Sequence, residues 1–180
     1  SRQKIQIDRS QEDCIVWYKL NRNPMPFWVV VEAWDFGTMS KYFEILKKRH
    51  QNRIAERLGI SNPQVLKTWL HEINTLRNRC AHHTRIWNQQ SNGLLPIIEN
   101  PYFNKLNLNG DSRSRLIGKI SVLWFLVDKI SQSSNWLSDI VDLINCKPTL
   151  PGCTFSAMGI PVTEGTTHPL SELKKIADIN

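Results

Sequence analysis

The sequence predicts an all-α fold. Glycine is scarce, with eight in 180 residues, and several long segments carry apolar residues at 3- and 4-residue steps. The chain is long enough for one domain with a proper core. At 41% hydrophobic with seven tryptophans, it reads as globular rather than disordered.

Residues 1–9 are polar and basic and read as a ragged start. Ser10 with Asp13 three residues on predicts a capped helix through Leu20. Asn21 to Pro26 is a turn with two prolines. The run from Phe27, WVVVEAWDFG, suits a strand by propensity. A buried helix is preferred, with Pro26 in its first turn and Gly37 at its end. Thr38 or Ser40 then caps a helix through Lys48. The basic group Lys47, Lys48, Arg49, His50 and Arg53 reads as a solvated face or as an RNA-contacting edge. Asn52 to Leu58 predicts a short helix stopped by Gly59.

Asn62-Pro63 opens the central helix, with proline at its first position. Trp69, Ile73, Leu76 and Cys80 form its apolar face. His71, Asn74, Asn78, His82 and Arg85 follow the same rhythm on the opposite side. Gln89 to Ser112 is a long polar insert around Leu94 to Ile98, and inserts of this length are usually functional or mobile. Ser112 is expected to cap a helix over 113–130 that is apolar nearly all round and therefore core. Ser133 or Ser134 begins an amphipathic helix through Asn145, ended by Pro148. Residues 149–180 read as an irregular tail, with a short helix over 171–176. No internal repeat or domain boundary is evident, so 1–180 reads as a single domain. Because it starts at Ser1 without an initiator Met, it is expected to be processed or to be part of a longer protein.

The formal net charge is +7 and the isoelectric point about 9.4. A polyanion partner fits this balance, although charge alone does not require one. Cys14, Cys80, Cys146 and Cys153 form no CxxC pair, so reduced cysteines are expected rather than a disulfide framework. There is no signal-peptide pattern. The longest apolar candidate, Ile117 to Ile130, is interrupted by Lys119 and Asp128, which argues against a membrane span.

The chemistry gathers at Leu76-Arg77-Asn78-Arg79-Cys80-Ala81-His82-His83-Thr84-Arg85-Ile86-Trp87-Asn88. Three arginines, two adjacent histidines and two asparagines fall within thirteen residues. An imidazole takes and gives protons near neutral pH. A guanidinium holds a phosphate through parallel hydrogen bonds and stabilises charge developing on it. Together they supply what metal-free RNA cleavage needs. The imidazole takes the ribose 2′-OH proton, the oxygen attacks the adjacent phosphate, and arginine stabilises the pentavalent intermediate. The products are a 2′,3′-cyclic phosphate and a 5′-OH. On a straight helix Arg77 and His82 lie about 140° apart and about 7.5 Å along the axis, so they converge poorly. Asn78, one turn before His82, can orient it or the phosphate. A second copy meeting the first across a two-fold axis would collect both sets of residues in one cleft, and this implies a homodimer.

Arg77, Asn78 and His82 fit the R-x4-6-H pattern and resemble the motif of HEPN domains, all-helical and often metal-independent endoribonucleases. That short pattern occurs by chance. The full string LRNRCAHHTRIWN is more specific and is similar to the Abi-like (AbiD/AbiF) abortive-infection family. The flanks agree: PFWVVVEAWDFGTMSKYF before it, and Phe155-Ser156-Ala157-Met158-Gly159-Ile160-Pro161 late in the chain. The likeness covers about residues 10–161. It implies a single HEPN-like helical bundle with a long loop after the motif helix, forming the C-terminal part of a longer protein. Carried over by position, Arg77, Asn78 and His82 become the catalytic set, while Arg79, His83, Arg85 and Asn88 become RNA contacts. No cofactor or metal is implied. The implied setting is the bacterial cytoplasm, in defence against phage or a toxin–antitoxin-like system. RNA would be the substrate or an inhibitory noncoding partner, and an antitoxin would hold the activity in check.

Plainer readings exist for the same residues. His82 and His83 can cap a helix C-terminus, where cationic side chains suit the dipole. A zinc site from His71, Cys80, His82 and His83 matches no standard ligand spacing. Trp87 can stack on a base, but a tryptophan just after a helix is more often a core anchor. Arg113 and Arg115 read as solvated or phosphate-facing. The main functional alternative is a non-catalytic RNA-binding module, held with a structured RNA or protein partner, in which Arg77, Arg79 and Arg85 grip phosphates. A protein-interaction scaffold is a third.

Overall fold

The structure, a computed structural model, describes residues 2–131 and 134–160, and side chains from Gln3 onward within them. Every regular element among the described residues is helical, as composition and periodicity predict. The chain divides into two compact units, Ser1–Gln51 and Asn52–Asn180.

In the first unit, helix α1 (Arg2–Arg9) replaces the expected ragged start. Partners distant in sequence hold it. The Lys19 ammonium donates to the carbonyls of Asp8 and Ser10, each at 3.1 Å. A cation closing the free carbonyls of a helix end complements the dipole there. Thr38 Oγ1 pairs with Gln6 Oε1 at 3.0 Å. Helix α2 (Asp13–Leu20) ends at Leu20 as expected but starts later, after Glu12; Ser10 Oγ accepts from Glu12 N at 3.3 Å and caps no helix N–H of α2.

The expected buried helix after Pro26 is only α3 (Phe27–Glu32), and Val29 is its buried residue while Trp28 is 73% exposed. Gly37 does not end it. Gly37 lies buried in the first turn of α4 (Phe36–Ile45), where Asp35, not Thr38 or Ser40, is the cap: its Oδ1 accepts from Thr38 N at 2.6 Å. Phe27, Trp34 and Tyr42 cluster with ring centroids 4.9–5.7 Å apart. Helix α5 (Lys48–Arg57) starts four residues earlier than expected and takes in most of the basic group. Gln51 Nε2 donates to the carbonyls of Phe43 and Glu44, closing the end of α4.

The second unit is built on α6 (Pro63–Ala81) and α9 (Leu116–Ile130). The sequence places the start of α6 correctly: Asn62 Oδ1 accepts from Gln64 N at 2.9 Å and Pro63 opens the first turn. Leu66, Trp69 and Ile73 are its buried face. Trp69 packs against Phe103 at a tilt and edge-on to Phe125, and donates its indole N–H to Pro96 O at 2.8 Å. Helix α9 is buried nearly all round, as expected, including Trp124, Phe125 and Leu126.

The predicted helix over 113–130 is interrupted. Helix α8 (Gly110–Ser114) precedes α9, and Arg115 between them is extended. Asn109 caps α8 by accepting from Ser112 N at 2.8 Å. Ser112 is buried instead, and its hydroxyl donates to Gly159 O at 2.7 Å. Close approach explains the break: a Cβ at Gly118 would lie 2.6 Å from Ser112 O. Arg113 donates to Leu95 O, and Arg115 to Asp111 Oδ1 and Ala157 O. Both arginines therefore bind the protein's own oxygens.

The non-helical first half of the insert is 89–100, since α7 (Pro101–Leu106) and α8 occupy most of its second half. Its anchors are specific. Leu95 is buried, Ser91 N donates to Ser114 O at 2.7 Å, and Ser91 Oγ donates to Glu72 Oε2 at 3.0 Å. Glu72 also meets the buried ammonium of Lys119 at 3.3 Å, tying α6 to α9. Tyr102 donates its hydroxyl to Ser121 O at 2.9 Å, and burial pushes the phenol well above its ordinary range. Helix α10 (Trp136–Asn145) buries Leu137, Val141 and Ile144.

The described part of the tail ends in a 3₁₀ turn (Ser156–Met158), and Met158 and Ile160 are fully buried in the main core cluster. The segment is irregular yet packed. Ser133, Pro161 and the helix expected over 171–176 lie outside the described residues.

Candidate functional site

The motif sits where α6 ends. His82 is its C-cap and accepts no further helical turn. His83 follows with φ +51°, the left-handed region that a side chain rarely enters. His83 N donates to Cys80 O at 3.1 Å and Thr84 N to Arg79 O at 2.9 Å. These paired bonds make the Schellman closure, with histidine where glycine usually stands. The Thr84 hydroxyl joins the same Arg79 carbonyl at 3.0 Å. The turn thus satisfies the last carbonyls of the helix and sends Thr84, Arg85 and Ile86 away from its axis.

An open groove of about 470 Å³ lies at this helix end, lined by Thr75, Asn78, Arg79, His82 and Thr84. Asn78, Arg79 and His82 are three of the expected site residues. Asn78 and His82 share a face because four residues advance the helix by about 400°. Thr75 and Thr84 were not expected. Thr75 is one turn before Asn78, and helical spacing could have flagged it. Thr84 reaches the groove only through the left-handed turn.

Arg77 takes a different direction. Its side chain lines an apolar cavity with Leu76, Cys80, Trp87 and Leu143 among others, on the side away from His82. Its guanidinium still reaches across: Nη1 donates to Asn78 Oδ1 at 3.0 Å. Asn78 is therefore the link between Arg77 and the groove. His83, Arg85 and Asn88 are exposed residues of the turn and the segment after it. Trp87 is an anchor, as preferred: it packs against the core cluster and donates its indole N–H to Thr154 O at 2.9 Å.

Residues 1–88 match the family model described as Abi-like protein. The matched span is a little under half of the chain and ends at Asn88, so it includes the whole motif from Leu76. No curated protein and no solved structure matches the chain.

Among the described residues no three His, Cys, Asp or Glu side chains gather as a metal site, so His71, Cys80, His82 and His83 do not form one. All four cysteines are free. Cys80, expected on the apolar face, is exposed although it lines the apolar cavity. Among the described residues no helix is long and apolar enough to cross a membrane.

Proposed function

We propose that this chain is a HEPN-type endoribonuclease of an abortive-infection or toxin-like system. The observation that carries the reading is the groove that collects Asn78, Arg79 and His82, with Arg77 hydrogen-bonded to Asn78. The match to an Abi-like family model across the motif supports it.

In this mechanism His82 takes the proton of a ribose 2′-OH. The 2′ oxygen forms a bond to the adjacent phosphorus, the bond from phosphorus to the 5′ oxygen breaks, and that oxygen takes a proton from solvent. Arg79 and Arg77 stabilise the added charge on the pentavalent phosphorus. Asn78 holds the Arg77 guanidinium and fixes its distance from the imidazole. His83, Arg85 and Asn88 contact the RNA beyond the scissile bond. The scheme uses no metal. Two copies related by a two-fold axis would place both sets of residues around one RNA strand, and an antitoxin or structured RNA would restrain the pair.

A second reading has one specific observation in its favour. Arg77 lines the apolar cavity rather than the groove, which suits a module that binds RNA without cutting it. The two readings separate on purified protein with labelled RNA. Under the ribonuclease reading, His82→Ala abolishes cleavage, about 10²–10⁴-fold for loss of a general base, while RNA binding stays intact. Under the binding reading the wild-type chain cuts nothing, and Arg77→Ala lowers the log–log salt slope of single-strand binding by about 0.7.

A further inference from the structure

The groove at the end of α6 holds both donors and acceptors, and its internal hydrogen bonds fix which residue is which. Thr75 Oγ1 donates its proton to His71 O at 3.0 Å, one turn back along the helix. Thr84 Oγ1 donates its proton to Arg79 O, also at 3.0 Å. A hydroxyl has one proton and two lone pairs, so each threonine holds out only an acceptor. Asn78 is the reverse. Its Oδ1 accepts from Arg77 Nη1, which leaves the amide N–H groups to donate. Arg79 can only donate. These residues line one groove together with His82.

Phosphate oxygens of a bound strand can accept from Asn78 and Arg79, but they have nothing to give a threonine oxygen. The one donor on an RNA backbone is the ribose 2′-OH, and a DNA backbone has none. We propose that Thr75 accepts a hydrogen bond from a ribose 2′-OH and thereby selects RNA over DNA, which rests on the reading of this groove as an RNA site. The ribose is not the one at the cleaved bond, because His82 takes the single proton of that hydroxyl. It belongs to a neighbouring nucleotide: Thr75 stands about two turns before His82, about 10.5 Å along the axis. Thr75 is thus a specificity-determining residue and takes no part in the reaction. Thr84 offers a similar acceptor, but its hydroxyl also helps to close the helix end, so Thr75 is the cleaner position to change.

The test is a thermodynamic cycle between protein and ligand. Fluorescence anisotropy measures binding of the full chain to an oligoribonucleotide and to the 2′-fluoro strand of the same sequence. The fluoro strand keeps the ribose pucker and lacks the donor. All variants carry His82→Ala, so that no strand is cut. Thr75→Val keeps the branched shape and removes the acceptor. It should weaken the ribose strand about fivefold, the size of one net hydrogen bond, and leave the 2′-fluoro strand unchanged. Thr75→Ser, which keeps the acceptor, should bind both strands as threonine does. An equal loss on both strands would assign Thr75 to a base edge or to the fold and overturn the ribose contact. No loss on either strand would overturn it too. If His82-intact protein still cuts RNA in EDTA in that case, the ribonuclease reading stands and the ribose contact alone falls. If neither strand binds and nothing is cut, both fall together.

Discussion

At the residue scale the motif shows how far spacing alone carries. Asn78 and His82 share one groove because four residues bring a helix back to the same face. The 140° offset of Arg77 appears as a real divergence, with its stem in the apolar cavity. The left-handed turn at His83 was not legible, because histidine enters that backbone far less often than glycine, which is the usual signal. His83→Gly should therefore raise stability by about 1 kcal/mol, read as a melting temperature higher by about 2–4 °C. Loss of RNA binding in that stabilised variant would show the imidazole to be a contact. Tyr102 gives a prediction in alkali. Its folded-state pKa lies above the unfolded value near 10, so the folded chain holds the proton that the unfolded chain releases. The stabilisation is complete below about pH 10 and declines above it, by about 1.4 kcal/mol per pH unit from this group. Denaturant titrations of wild type and Tyr102→Phe from pH 9 to 11 should show the wild type losing stability more steeply.

At the element scale, the cap of α6 was legible, whereas the local caps Asp35 of α4 and Asn109 of α8 were hidden among competing Ser and Thr candidates, and a helix held by distant partners gave no signal. Asn62 and Pro63 mark the start of α6 because cap and first turn are adjacent in sequence. Helix α1 depends on Lys19, ten residues beyond its end, and its polar composition gives no sign of that. The break at Arg115 depends on Gly118 fitting beneath Ser112 O. Gly118→Ala should cost about 1–3 kcal/mol through overpacking, measured by urea denaturation. In the sequence Lys119 is a charge interrupting an apolar run, and nothing there links it to Glu72. They form the ion pair that joins α9 to α6, with Lys119 only 5% exposed. Lys119→Ala should cost about 1–3 kcal/mol, because it removes a charge-assisted partner from Glu72, which keeps the Ser91 hydroxyl and some solvent. Glu72 also holds Ser91, so the same variant should raise amide exchange in the segment after the motif.

At the scale of the whole molecule, the all-helical class followed directly from composition and periodicity. The division at Gln51 did not, because it falls inside the continuous helix α5 and leaves no linker in the sequence. Under the proposed function, the basic surface of that helix can add RNA affinity. Lys48, Arg49 and Arg53 are exposed on it, and the chain carries a net charge of +7. If these residues meet RNA phosphates, Arg49→Gln with Arg53→Gln should lower the log–log salt slope by about 1.4, two contacts at about 0.7 each. The affinity loss should be uniform across RNA sequences, since phosphate contacts carry no base information.

The proposed function turns on His82 taking the proton of a ribose 2′-OH. It is tested most directly by incubating the chain in EDTA with an oligoribonucleotide and with its fully 2′-O-methylated counterpart. Only the ribose strand should be cut, its fragments should end in 2′,3′-cyclic phosphate, and His82→Ala should leave it whole. Equal cutting of both strands, or fragments lacking the cyclic end, would contradict it.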